Sequence, residues 1–431
     1  MTQSSNLTSL THAELRTHRD ALRREYEELR ARGLSLNLTR GKPSAEQLGL
    51  SDGLATALTA GEYTSRDGTD CRNYGGLRGL PELREIFSKS LGVPTGQMLA
   101  LGNSSLELMH QTLIHAVLFG VPGSRHPWRD EDRVAFICPV PGYDRHFALT
   151  EKFGIEMINV PMNDEGPDLH EVERLVISDP AIKGMWNVPL YSNPTGICYS
   201  DETVRRLAAM PAAAPDFRLF WDNAYAVHHL TDKHNRVADV LAIAAAEGHP
   251  DRPFVFGSTS KITWAGGGVA FFGSSPANVD WLLGNLEKQT IGPDKMNQLR
   301  HAKFLGDTHG LYEHMELQRK VLQPKFDMVQ RLLEERLGGR GIASWTKPEG
   351  GYFISLDVPD GTASKVVALA KQAGIALTPA GATFPYGRDP RDRNIRVAPS
   401  FPPLDELEPA AAALALCVEL AAAESLLTAK G

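Results

Sequence analysis

The sequence predicts an α/β fold: a mostly parallel sheet with helices on both faces, plus a smaller α+β unit. Three observations carry this. From about residue 100, short apolar runs recur, separated by helical or loop-like pieces, the pattern of strands buried in a parallel sheet. After about residue 310 the texture changes to one long helix, then short strands mixed with helices. The 431 residues, 42% apolar and 23% charged, suffice for two or three packed units of ordinary globular composition.

The first element is a helix over about 11–32, with Leu15, Leu22, Tyr26 and Leu29 on one face and Thr11 and Glu14 placed as a capping box. A Gly/Pro-punctuated stretch around Gly41 precedes a helix opening at Pro81, and a helix over 104–119 carries Leu106, Met109, Leu113 and Val117 on one stripe. Six apolar strands are expected at Val134–Cys138, Ile155–Val160, Gly184–Leu190, Arg218–Trp221, Phe254–Gly257 and Val269–Gly273. A long helix (about 311–338), strands at Ile342–Trp345 and Tyr352–Leu356, a helix near 363–373, a strand at Ile395–Ala398 and an Ala-rich terminal helix complete the chain. The expected division is an N-terminal segment (1–55) joining the smaller domain, a large domain (56–305) and a small C-terminal domain (306–431).

Several function classes are set aside. A formal charge of −7 and the lack of any long Lys/Arg block argue against a nucleic-acid partner. The start, MTQSSNLTSL, lacks the basic and apolar run of a secretion signal. The longest apolar tract, Ala410–Ala423, is broken by Glu419 and is expected to pack as a helix, with no membrane partner. Cys71, Cys138, Cys198 and Cys417 have no paired spacing, which points away from a metal site and disulfides and toward a reducing, cytoplasmic setting.

Five segments can carry chemistry. Lys261 follows an apolar strand and a small-residue turn, where the carboxyl end of a sheet opens into a crevice. A lysine there is either a solvated surface group or, if desolvated, a nucleophile able to form a Schiff base. Asp222 ends the strand before Asn223-Ala224-Tyr225; it is either a helix cap or the partner of a protonated pyridine nitrogen. Asn193-Pro194-Thr195-Gly196 is a turn whose Asn amide could donate to a cofactor oxygen. Gly102-Asn103-Ser104-Ser105 opens a helix and offers an anion site, although Ser104 and Glu107 also spell a capping box. Arg396, on a late strand, either pairs with a structural acid or grips a substrate carboxylate with its guanidinium fork.

Taken in order, Asn-Pro-Thr-Gly, Asp-x-x-Tyr, Ser-x-Ser-Lys and the late Arg resemble the class I aminotransferases of pyridoxal-phosphate (PLP) fold type I. The likeness extends to Tyr74-Gly-Gly-Leu-Arg-Gly-Leu-Pro and Pro141-Gly-Tyr143. The stretch around Lys261-Ile-Thr-Trp-Ala-Gly-Gly-Gly and the segment ending in Arg300-His look similar to a bacterial aspartate aminotransferase subgroup, type Ic, often grouped with MocR-like proteins. The resemblance implies a mixed, mostly parallel seven-stranded sheet, pyridoxal 5'-phosphate as cofactor and a homodimer with shared active sites. It implies that Lys261 carries the cofactor as a Schiff base and shuttles protons, that Asp222 holds the pyridine nitrogen protonated, and that Tyr225 and Asn193 bind the phenolic oxygen. Tyr143 would stack on the ring. Asn103, Ser104, Ser105 and Ser258 would hold the phosphate end, with Tyr74 reaching in from a second subunit. Arg396 would clamp the α-carboxylate and Gly41 would border the substrate.

One position departs from the family pattern: the arginine expected eight residues after the lysine is Val269, approached by Gly266-Gly267-Gly268. Backbone N–H groups or a distant cation such as Lys295 would then neutralise the phosphate; the Gly run also reads as a tight bend. A distal substrate carboxylate would need a further cation, and Arg40, Arg145 and Arg300 are candidates, Arg40 favoured because it adjoins Gly41. The expected function is a ping-pong aminotransferase for aspartate or glutamate and a 2-oxo acid. The alternatives are a PLP-dependent lyase and a non-catalytic, MocR-like ligand sensor.

Overall fold

A computed structural model describes residues 6–430. Residues 1–5, half of the stretch read as lacking a secretion signal, and Gly431 lie outside the described residues. The first helix, His12–Ala31, starts at the expected capping box: Glu14 N–H donates to the Thr11 hydroxyl, and Thr11 N–H to the Glu14 carboxylate. The strands that follow are β1 (Leu36–Asn37), β2 (Met98–Ala100), β3 (Ala135–Val140), β4 (Glu156–Asn163), β5 (Gly166–Pro167), β6 (Ile182–Asn187), β7 (Arg218–Asp222), β8 (Pro253–Ser258), β9 (Ala270–Gly273), β10 (Ser344–Trp345), β11 (Ile354–Asp357), β12 (Ile375–Ala376) and β13 (Asn394–Val397).

The large sheet has the order β2-β9-β8-β7-β6-β3-β4-β5. Its centre, β8-β7-β6-β3-β4, is parallel throughout, and β9 runs antiparallel between β2 and β8. Seven strands form the body; β5 adds a two-residue antiparallel return on β4, giving eight in all. Three of these strands, β2, β5 and the reversed β9, fall outside a simple alternation of parallel strand and helix. The chain leaves β3 for β4 on one side and comes back to β6 on the other. That reversal opens a crevice at the carboxyl ends of β3 and β6.

Alternate side chains along each strand feed two apolar clusters, one per face. Ala135, Ile137, Leu219, Trp221 and Val255 join one; Phe136, Cys138, Phe220, Phe254 and Phe256 join the other. A third cluster combines Leu15, Leu22, Tyr26 and Leu29 of the first helix with β11, β13 and the terminal helix Leu404–Lys430. The long helix Thr308–Leu337 contributes to two of them: Leu311 and Met315 to the first, Leu322 through Leu337 to the third.

The terminal helix has the length and apolarity of a membrane span, with a mean hydropathy of 1.8 over its most apolar window, yet 72% of that window is buried in the protein. Glu419 in its middle is 2% exposed and bonds His18 (2.9 Å), Arg336 (2.8 Å) and Arg340 (2.7 Å). The helix is a core element, as expected from the sequence. All four cysteines are unpaired thiols, and three of them are buried.

Candidate active site

Four neighbouring parallel strands each deliver one predicted residue at or just past their carboxyl ends. Tyr143 follows β3, Asn193 follows β6, Asp222 closes β7 and Lys261 follows β8. The strands are apolar because both faces are buried, so polarity begins where each strand leaves the sheet. The lysine-bearing turn is pinned from below: Thr259, fully buried, accepts Val269 N–H on its hydroxyl (2.9 Å) and returns its own N–H to Val269 O (2.8 Å). His228 donates to Lys261 O (3.1 Å), while His314 (2.7 Å) and Gln318 (3.0 Å) donate to Ile262 O.

A cavity of about 180 Å³ opens above these strand ends. Lys261, Asp222, Tyr225, Asn193, Tyr143, Ser104, Ser105, Ser258 and Gly41 all line it, so most of the predicted site is brought together. The Lys261 ammonium lies 5.1 Å from the centre of the Tyr225 ring. Burial pulls the lysine pKa below its ordinary value, against the opposing pull of Asp222. Burial, with Tyr143 and Asp222 adding to it, pushes the Tyr225 phenol well up, so it stays a hydrogen-bond donor.

Asp222 is 2% exposed. Its Oδ2 is bound by His146 Nε2 at 3.0 Å, and the His146 ring stacks on Trp186 at 4.3 Å and 8°. Its Oδ1 is buried without any hydrogen-bond partner, as is Asn193 Oδ1. A buried carboxylate oxygen left unpaired is costly and calls for a donor from a ligand.

The opposite end of the cavity carries hydroxyls. Ser104 caps the helix Ser105–Phe119, accepting Glu107 N–H at 3.4 Å; the returning half of the capping box is missing, because Glu107 accepts from Gln111 instead. Ser104, Ser105, Ser258 and Ser260 thus face the first turn of a helix, whose free N–H groups favour an anion. Asn103 lies outside the cavity wall and is exposed; its carbonyl accepts from the Ser260 hydroxyl at 3.5 Å. Lys261 is the one Lys or Arg among the cavity-lining residues. Lys295 does not reach the cavity, since its buried ammonium donates to Gly75 O at 2.6 Å. Val269 is fully buried, and Gly268 has Thr259 Oγ1 2.9 Å from where a Cβ would stand, so this part of the run is also a tight bend.

Arg396 stands one ring behind the cavity. Its guanidinium carbon is 4.9 Å from the centre of Phe353, which is in the wall, and its Nη1 donates to Asp144 at 2.7 Å. Its Nε is buried without a partner. Gly41 is glycine for a steric reason: a Cβ there would come within 2.0 Å of the Phe353 ring. Arg40 and Arg145 are exposed and Arg300 is half-buried, none of them lining the cavity. Tyr74 is 79% exposed, away from this chain's own cavity.

Sequence reasoning missed His146, Asp144, Phe353 and Ser260. The first three act on partners far away in the chain and have no local signature. Ser260 is the second serine of the Ser-x-Ser-Lys motif, a signal that could have found it. Among the described residues no cluster of His, Cys, Asp and Glu could hold a metal ion.

The donor set fits one cofactor well: a carboxylate with a free oxygen at one end, an amine in the middle, hydroxyls on a helix N-terminus at the other. That is the complement of a pyridine ring with an aldehyde and a phosphate. Sheet order and strand-end chemistry fit the fold type I class to which the aminotransferases belong. Residues 10–430 match the profile of the aspartate amino-transferase family, and the chain belongs to that family. It is 51% identical to the aspartate aminotransferase of Corynebacterium glutamicum, over 94% of each chain. A crystal structure of an aspartate transaminase from that organism superposes with a TM-score of 0.96 at 49% identity, covering 98% of this chain and 100% of the other. The α-aminoadipate aminotransferase LysN of Thermus thermophilus, at 20% identity and a TM-score of 0.72 over 93% and 95% of the two chains, shares the fold.

Proposed function

We propose that this aminotransferase works with pyridoxal 5'-phosphate and moves an amino group between aspartate or glutamate and a 2-oxo acid, in two half-reactions. One observation carries the reading: a desolvated lysine and a buried carboxylate with an unpaired oxygen line the same cavity. When bound, the cofactor supplies a ring that takes up the electron pair left as a proton departs from the substrate Cα. Asp222 would keep the ring nitrogen protonated through its free Oδ1, while His146 holds its other oxygen. Lys261, whose amine is favoured in its neutral form by burial, would take the Cα proton and return it at the cofactor C4′. Tyr225 and Asn193 would donate to the phenolic oxygen, and Tyr143 would cover the ring.

The phosphate would rest on Ser104, Ser105, Ser258 and Ser260 and the helix N-terminus. Arg396, steadied by Asp144, would use its free Nε side for the α-carboxylate. The segment carrying Tyr74 is held by Lys295 at Gly75 while the Tyr74 ring points outward, which supports a second copy of the chain receiving it. LysN was crystallised with N-(5'-phosphopyridoxyl)-L-leucine, which supports the cofactor. The Corynebacterium relative's name supports the substrate.

The test is spectroscopic. Purified holoprotein mixed with aspartate should lose its aldehyde-form absorbance, and 2-oxoglutarate should restore it. Borohydride reduction followed by peptide mapping should place the pyridoxyl group on Lys261. Pyruvate and ammonia released from an amino acid without any acceptor would instead make the protein a lyase. Arg40→Ala should raise KM for aspartate roughly tenfold or more while sparing alanine, if Arg40 holds the distal carboxylate. Equal losses for both substrates would remove it from that role.

A further inference from the structure

A second cavity, of about 470 Å³, lies on the other side of β7. Strand alternation separates the two: Asp222 points to the cofactor cavity, whereas Trp221 and Asn223 line the second one. Its floor is apolar, formed by Leu91, Leu190, Trp221, Val237 and Tyr312. Its rim carries two exposed cations, Lys89 and Arg236, neither ion-paired among the described residues. Asp239 is the one acid in the wall, and its carboxylate is already engaged in capping a helix at Ala242 N–H, 2.9 Å away. His229 and His234 stack at 4.3 Å beside them, with His229 Nδ1 bound to the Tyr191 hydroxyl at 2.7 Å.

The residue that points to a ligand is Asn223. It is 3% exposed, it lines this cavity, and its Oδ1 has no hydrogen-bond partner. Most buried amide oxygens are paired in native proteins, directly or through something bound. An unpaired buried acceptor, an apolar floor and two free cations together describe one kind of molecule.

We propose that this cavity binds a small organic carboxylate with a ring-sized apolar body, its anionic group at Lys89 and Arg236 and a hydroxyl or amino hydrogen on Asn223. The occupant sits on the reverse side of the strand end that bears Asp222. It is therefore a site separate from the one where amino-group transfer is read, and it does not depend on that reading.

The experiment uses holoprotein reduced with borohydride, so that the cofactor is fixed on Lys261, and carrying Arg396→Ala, so that the probe carboxylate finds no partner there; 4-hydroxyphenylacetate is the probe, followed by titration calorimetry. Binding is expected with a Kd of about 1 mM or tighter, weakened about tenfold or more by the double substitution Lys89→Ala and Arg236→Ala. Both residues are on the surface, so an unchanged melting temperature should accompany the loss. Acetate, which lacks the ring, should bind at least about tenfold more weakly than the probe. No binding at about 10 mM probe would overturn the proposal. So would equal affinity in the double variant, or acetate binding as tightly as the ring-bearing acid.

Discussion

At the scale of single residues, the site rests on how Asp222 is held. One oxygen is fixed by His146, whose ring is clamped flat against Trp186, and the other is left open. Outer partners of this kind usually matter by one to two orders of magnitude, because they fix the orientation of the group that does the chemistry. His146→Ala should lower kcat roughly 10–100-fold while the protein still takes up cofactor and keeps its absorbance. An unchanged kcat would mean that Asp222 is positioned without it. Lys261, Asp222, Tyr225 and Asn193 were legible in the sequence because each stands at or just past the end of an apolar strand, where a polar residue stands out, whereas Tyr143 came only with the family resemblance. His146 and Asp144 were not, since each lies at the start of a helix and serves a partner 76 or 252 positions away. Arg396 is legible as a residue; the sequence leaves open a structural acid or a substrate carboxylate as its partner, and in the structure it pairs with Asp144.

At the scale of elements, the central strands and the longest helices were readable from apolar periodicity, and their ends moved by a few residues. The three-residue β2 and the two-residue β1, β5 and β12 gave no periodic signal, being too short to show one. The Ala-rich terminal helix was read as buried, but the function of its single acid was not. Glu419 gathers His18, Arg336 and Arg340, and so ties the first, long and terminal helices together. Taking away the acid leaves the partly buried Arg340 without its carboxylate and Arg336 with Glu25 alone, an arrangement that costs more than the intact cluster gained. Glu419→Ala should therefore lower unfolding stability by about 3 kcal/mol, read from the urea midpoint at constant slope. A loss below about 1 kcal/mol would show that solvent already screens these charges.

At the scale of the whole molecule, buried histidines contribute to the loss of stability in acid. Burial, helped by the nearby Lys261 charge, holds His228 down to about 3, and burial with His234 and Arg236 holds His229 down to about 4. In an unfolded chain both would titrate near about 6.5. As pH falls, the unfolded state takes up these protons first, so stability is full above about pH 6.5 and declines below it, toward the folded-state values. Each histidine contributes up to about 1.4 kcal/mol of loss per pH unit in that window. His228→Gln keeps a donor for Lys261 O and cannot take up a proton. It should lose measurably less stability than the parent between about pH 6.5 and about pH 5 in parallel urea titrations. Identical slopes would show that His228 is already charged in the fold. None of this acid sensitivity was visible in the sequence, because burial of a histidine depends on what folds over it.

The pairing of the first helix with the last has a consequence for synthesis. His18 and Glu419 are 401 positions apart, and Tyr26 donates to a carbonyl 343 positions downstream. On a ribosome adding about 5–20 residues per second, the leading helix would wait roughly 20–80 s for its counterpart to emerge. Until then Leu15, Leu22, Tyr26 and Leu29 lack the terminal helix, although Phe326, Leu333 and Leu369 of the same cluster emerge earlier. A premature stop near residue 400 would take the terminal helix out of that cluster and leave His18 without Glu419.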